Sequence, residues 1–279
     1  MSQGSARQEW FVYILVVRYR GKMVMKFVPV ILLATSACFA AALSANGQTA
    51  KSAPSPAARK AEYASLGSLP DWGGLWVFDF PKPGGAPPED PVLTPKYAEQ
   101  LKALEKEEAS NQEPPTESAN CLPPGMPTIM FQPYDIEILF TPGRVTIIQE
   151  AYMQVRRVFT DGRGHPDHLD PTFNGHSIGH WEGDTLVVDT VGLGHETPLG
   201  FNRLNHGPKL HIIERIHLIS PDTLEDQMTS TDPDVLEKPW HLVRTYTRHR
   251  DWDMLEFICE ENNRNPIGQD GKVSTILGK

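Results

Sequence analysis

The dipeptide Gly183-Asp184, set between GHSIGHWE (175–182) and TLVVDT (185–190), commits this chain to a β-hairpin. A two-residue turn of this kind fixes register, and register fixes which side chains share a face. With Glu182 opposite Thr185, Ile178 lies opposite Asp189, and His176 and His180 are the diagonal neighbours of that carboxylate. One face then carries His176, Ile178, His180, Val187, Asp189 and Val191. The other carries Ser177, Gly179, Trp181, Leu186, Val188 and Thr190. A carboxylate between two imidazoles is the raw material of general acid/base chemistry.

The same alternation runs through most of the chain. Gly74–Phe80, Tyr134–Phe140, Arg144–Glu150, Ala151–Thr160, Phe173–Trp181 and Thr185–Val191 read as strands. Lys209–Ile219, Thr223–Ser230, His241–Arg250 and Met254–Glu260 follow, and nearly every junction holds Gly, Pro, Asp or Asn. About ten strands in one domain favour an all-β fold, an antiparallel meander closed into a barrel, because closure removes the sheet edges. One short helix precedes it. Thr94 is its N-cap, Pro95 its first residue, and Tyr97, Leu101 and Leu104 recur at helical spacing.

Residues 1–45 read as an addressing segment. Met25-Lys26 opens a short basic region, Phe27–Ala42 is an alanine-rich apolar core, and Ala40, Ala42 or a site near Ala45 fits the cleavage rule for export. Met25 is then the expected start, and the mature chain is expected in the periplasm or medium with no membrane span. Cys38 in Thr-Ser-Ala-Cys loosely matches a lipoprotein box, a minor alternative. Residues 46–68, rich in Ala, Ser, Pro and Lys, read as a flexible lead. The barrel domain spans 69–279.

Removing 1–45 lowers Lys plus Arg from 26 to 21 and Asp plus Glu from 35 to 34, for a net charge of −13. Such a surface repels phosphate backbones, which argues against nucleic acid as a partner. Cys121 and Cys259 remain, and in an oxidising compartment they can close one disulfide; two free buried thiols is the alternative.

Two resemblances bear on the fold. Gly74-Leu75-Trp76 looks like the Gly-x-Trp opening of lipocalin-like barrels. The segments CLPPGMP (121–127), GHSIGHWEGDTLVVDT (175–190) and CEENNRNP (259–266) resemble a family of secreted bacterial proteins, over most of residues 70–266. That resemblance implies export and a shared fold. No catalytic roles carry over from it.

The chemistry therefore rests on the residues. If the histidine face points inward, Asp189 is a buried carboxylate that must be paired, and His176 is the obvious partner and general base. If Trp181, Leu186 and Val188 form the core, the histidines are solvated instead. The glycines at 175 and 179 would let a ligand or another backbone approach closely. On Lys209–Ile219, Glu214 falls among Ile212, Ile216 and Leu218, so it meets an arginine or works with a raised pKa. Arg157, which shares a face with Met153, Val155 and Phe159, is its candidate partner. Arg156 and Tyr152 face the other way and would bind substrate if that side is the lumen. His180 and Trp240 are further substrate contacts, Trp240 standing at the mouth of a strand.

The loop 161–170 places His165, His168 and Asp170 close in sequence, a weak metal candidate that matches no standard spacing. His176 and His180 lie about 13 Å apart on a strand and cannot share a metal. There is no Gly-x-Ser-x-Gly elbow, phosphate loop, dinucleotide fingerprint or His-Glu-x-x-His, so no cofactor is expected. The leading expectation is an acid/base enzyme (lyase, hydratase or isomerase) acting on a small organic molecule in a barrel pocket. His176 with Asp189 moves the proton and Glu214 is the second group. A carrier of a hydrophobic ligand and a metal-dependent hydrolase are the competing classes.

Overall fold

The computed structural model describes residues 17–19, 22–24, 55–80, 89–109, 121–194, 197–200 and 204–259. The expected export segment lies outside them except for a three-pair ladder of β1 (Val17–Tyr19) and β2 (Lys22–Val24), a small unit by itself.

The barrel strands are β3 (Leu75–Phe78), β4 (Ile136–Thr141), β5 (Arg144–Gln149), β6 (Gln154–Phe159) and β7 (His176–Glu182). They continue with β8 (Thr185–Val191), β9 (His211–Ser220), β10 (Thr223–Thr231) and β11 (Trp240–His249). In sequence order they form a closed nine-strand barrel, β11 pairing with β3 to complete the ring. Eight of the nine seams are antiparallel. The ninth, β6 with β7, is parallel and has only two registered pairs, Val158 with Ser177 and Phe159 with Ile178. Parallel neighbours need a crossover, and residues 160–175 provide it by running back across the outside of the barrel. The pure meander is therefore corrected at one seam.

Two helices accompany the barrel. The first, α1 (Pro56–Ser65), is capped by Ser55, whose Oγ accepts from the Ala58 N–H at 3.2 Å, with Pro56 at the first helical position. Part of the expected flexible lead is thus helical, and it buries no residue. The second, α2 (Pro95–Ala109), is the expected helix. Among the described residues no helix is long and apolar enough to cross a membrane. The expected strand Met254–Glu260 is irregular over its described residues 254–259, and Cys259 is instead bonded to Cys121, with Cα atoms 5.5 Å apart.

The core fills the barrel. At the end holding the turns 142–143 and 183–184, Trp72, Phe140 and Trp181 close the opening, with ring centroids 5.3–5.5 Å apart. At the opposite end the buried turn Thr128–Phe131 inserts beside Leu193, Leu210 and Trp240. Between these plugs lie Ile147, Val158, Leu186, Val188, Ile212 and Ile216, nearly inaccessible to water. Burying such side chains stabilises by roughly 1.5–3 kcal/mol each.

Candidate functional site on the outer face of the barrel

The hairpin register is the expected one: Glu182 pairs with Thr185 and Ile178 with Asp189. Its orientation settles which of the two faces is core. Ser177, Leu186, Val188 and Thr190 are buried inside, while His176 and Asp189 are half-buried and His180 exposed on the outside. The apolar members of the outer face are only partly exposed because the crossover covers it: Leu169 packs against Gly192, and His165 reaches the sheet. Gly175 and Gly179 are explained by the chain itself. A Cβ at Gly175 would stand 2.7 Å from the Val191 carbonyl oxygen, and one at Gly179 would stand 2.8 Å from a Val158 methyl.

The convergence of His176, Asp189 and Glu214 in the lumen is corrected accordingly. Glu214 points inward and is fully buried, and the sheet wall separates it from the other two. Its partner is Arg156 rather than Arg157, which is exposed. Arg156 Nη1 donates to Glu214 Oε1 at 2.8 Å, and Nη2 donates to Oε2 and, at 2.9 Å, to Thr190 Oγ1. Its Nε donates to Ser177 Oγ at 3.3 Å. One guanidinium thus ties β6, β7, β8 and β9 together inside the barrel. Burial works against its charge, but the charge and hydrogen bonds of Glu214 outweigh that and raise its pKa.

Other expected contacts also move. The Tyr152 ring sits 5.0 Å from Phe257, packed against the segment that follows β11 and away from Arg156. Trp240 is buried at the barrel end, its Nε1 donating to the Glu89 carbonyl at 2.6 Å. His180 is bonded to Glu182 at 3.1 Å. His168 and Asp170 are exposed.

What the fold brings together is a different set. His211 Nε2 lies 2.8 Å from Asp189 Oδ1, and His165 Nε2 lies 3.2 Å from the same oxygen. His165 Nδ1 is 2.8 Å from His176 Nδ1. The His176 ring stacks on Phe159, centroids 5.4 Å apart, and the Arg163 guanidinium lies over the same Phe159 ring, 4.1 Å from its centroid. Burial, then the nearby His165 and Arg163 charges, lower the His176 pKa and favour its neutral form. Beside Asp189 runs a groove of about 300 Å³, floored by Ile178, Val187 and Ile213 and walled by Arg163 and His180. Among the described residues no group of three or more His, Cys, Asp or Glu is arranged to hold a metal ion.

Alternation along Lys209–Ile219 puts His211 on the side opposite Ile212, Glu214 and Ile216, and nothing more in the sequence marks it. Its meeting with Asp189 depends on the β8–β9 register, where Asp189 pairs with Ile213. Asp226 was missed although its signal was present: Leu224, Asp226 and Met228 alternate with Glu225 and Gln227. Asp226 is fully buried, both its carboxyl oxygens lack a hydrogen-bond partner among the described residues, and Glu214 is its diagonal neighbour across β9 and β10. Burial first, and then the Glu214 charge, push its pKa well above the ordinary carboxyl value. A carboxyl that holds its proton more tightly in the folded chain favours folding at low pH. That advantage is lost as pH rises through the ordinary carboxyl range toward the raised value. Asp226→Asn is therefore expected to match the parent's melting temperature near pH 4 and to exceed it increasingly toward pH 8. Thermal melts across pH check this, and a difference independent of pH would show that Asp226 titrates normally.

No family model and no curated protein sequence matches this chain, so the outer cluster and its groove are read from their own geometry.

Proposed function

We propose that this chain is an exported acid/base enzyme, a lyase, hydratase or isomerase, acting on a small organic molecule in the outer groove. The observation that carries the reading is Asp189, one carboxylate oxygen accepting from the imidazoles of both His165 and His211 beside an apolar-floored groove. A carboxylate that orients an imidazole fixes its tautomer and stabilises the imidazolium formed when it takes a proton. The groove offers apolar area with few polar groups, the usual character of a small-molecule site. The Cys121–Cys259 bond supports an oxidising compartment.

The carrier reading draws less support. An apolar ligand in the lumen would lie against Arg156, Glu214 and Asp226, groups that tolerate burial only when paired or neutral. The metal-dependent reading draws none from the loop, where His165 turns to Asp189 while His168 and Asp170 face solvent.

Because the substrate is unidentified, the test reads proton transfer directly. The chain is incubated in D2O with a panel of small cyclic and open-chain carbonyl compounds, and loss of C–H signal is followed by NMR. Asp189→Asn is expected to slow exchange by about 10²–10⁴-fold with its melting temperature nearly unchanged. Exchange at the parent rate in this variant would remove Asp189 from the chemistry.

A further inference from the structure

At the end of the barrel closed by Trp72, Phe140 and Trp181 lies a cavity of about 260 Å³. Phe140 and Trp181 line it from the barrel, and Leu66 and Leu69 line it from the turn that follows α1. All four side chains are only half-buried. No carboxylate is part of the lining. Most of its hydroxyls are engaged by backbone carbonyls: Ser65 donates to Glu62 at 2.7 Å, Ser68 to Ser65 at 2.7 Å and Thr141 to Arg144 at 3.3 Å. That leaves Arg144 and Thr160, whose side chains make no hydrogen bond among the described residues.

Arg144 opens β5 directly after the Gly143 turn, and its backbone is fixed between Thr141 on one side and Phe159 on the other. Its Nε is sheltered from water and has no acceptor among the described residues. The chain holds 35 acidic and 26 basic side chains, and Arg156, Arg163, Arg215, Arg248 and Arg250 each pair with a carboxylate. Arg144 pairs with none among the described residues. The carboxylate beside its turn, Asp161, is taken by Arg163, whose Nε and Nη2 donate to it at 2.8 and 2.6 Å. A sheltered N–H without an acceptor costs stability, and an anionic ligand would remove that cost.

We propose that this cavity binds a small monocarboxylate carrying an apolar ring or short chain. Its carboxylate accepts from Arg144 and Thr160, and its hydrocarbon part lies against Trp181, Phe140, Leu66 and Leu69. Size agrees with that class. An apolar cavity of about 150 Å³ admits benzene, so 260 Å³ holds a ring together with its carboxylate. Charge selects one carboxylate over a phosphate dianion, because a single guanidinium faces the ligand in a chain of net charge −9. The site also gives α1 a purpose. That helix buries no residue, and it leads into the turn that walls the cavity. The outer groove shares none of this lining, so the proposal stands apart from the acid/base reading.

The test titrates the full chain with phenylacetate, its neutral isostere phenylacetamide, and acetate. Binding is followed by NMR at the Trp181 indole N–H, assigned with Trp181→Phe. Phenylacetate is expected to shift this signal saturably, and acetate, which has no ring, to leave it in place. Phenylacetamide should bind about tenfold more weakly, having lost the charge-assisted bonds to the guanidinium. In Arg144→Gln the affinity for phenylacetate should fall to that for the amide, while the amide's own affinity holds. The proposal is overturned if phenylacetate at millimolar concentration leaves the Trp181 signal unmoved. It is overturned too if acid and amide bind the parent alike, or if Arg144→Gln keeps the preference for the acid. The comparison of acid with amide is made on the parent chain, so it decides the matter even if the variant fails to fold.

Discussion

Replacing Arg156 with methionine is expected to destabilise the barrel by about 3–5 kcal/mol, measured by urea denaturation. The guanidinium and Glu214 are both almost wholly buried, so the variant leaves a carboxylate in the core without its cation. The structural position sharpens the expectation. The seam between β6 and β7 has two registered pairs, whereas β7 and β8 share seven and β5 and β6 share six. Arg156 spans that short seam by donating to Ser177, Thr190 and Glu214, which lie on the three strands beyond it. Its loss removes both a charge partner and the link that holds the parallel strands in register.

The double variant Arg156→Met with Glu214→Leu separates these contributions. Replacing both members of a buried pair by apolar side chains is often neutral or stabilising, because the desolvation of two charges disappears with them. If the pair serves only to neutralise itself, the double variant recovers most of the loss. If it recovers little, Arg156 acts chiefly as a tie across the seam, through Ser177 and Thr190. A single variant that loses under about 1 kcal/mol would show that the clamp is dispensable.

The parts of this molecule that were readable from sequence are those governed by neighbours in the chain. The Gly183-Asp184 turn set the β7–β8 register without help from the rest of the fold. The alternation of Ile212, Glu214 and Ile216 put Glu214 on the core face of β9. The face of the hairpin was not readable, because both faces carry three large apolar residues. Ile178, Val187 and Val191 compete with Trp181, Leu186 and Val188. What decides between them is the crossover 160–175 lying over the outer face, and that follows from the parallel seam, a property of the whole barrel. The same cause misplaced Arg157. Met153 and Val155 suggest an inward face for β6, yet both are exposed, and the inner positions are Arg156 and Val158. Strand parity cannot be carried through Tyr152 and Met153, which both have positive φ just before the strand. The outer cluster is less legible still. His165, His176, Asp189 and His211 come from the crossover and three strands, and only the His176–Asp189 neighbourhood was encoded locally.

Removing the disulfide is the second change expected to have a large effect. Cys121 and Cys259 are 138 residues apart in sequence, so the bond closes a loop that includes eight of the nine barrel strands. By loop-closure entropy a crosslink of that span disfavours the unfolded chain by about 5 kcal/mol, an upper figure if the unfolded chain keeps residual structure. The native geometry suggests why the chain needs the tether. Over its described residues, 250–259, the segment after β11 makes no ladder of its own and is held by scattered contacts. Phe257 packs edge-on against Tyr134 with centroids 5.2 Å apart, and the Leu255 N–H donates to Glu150 at 3.1 Å. Contacts of this kind do not offset the entropy of ordering ten residues, so the covalent bond takes the place of a strand's hydrogen bonds. Cys121→Ala with Cys259→Ala is expected to lower the urea midpoint strongly, to release the 252–259 segment to proteolysis, and to become insensitive to reductant. The parent should fall to the same midpoint when dithiothreitol is added. A parent chain whose midpoint ignores reductant would show that the two thiols are not bonded. A segment that stays protected in the double variant would mean that Phe257 and Leu255 suffice to hold it.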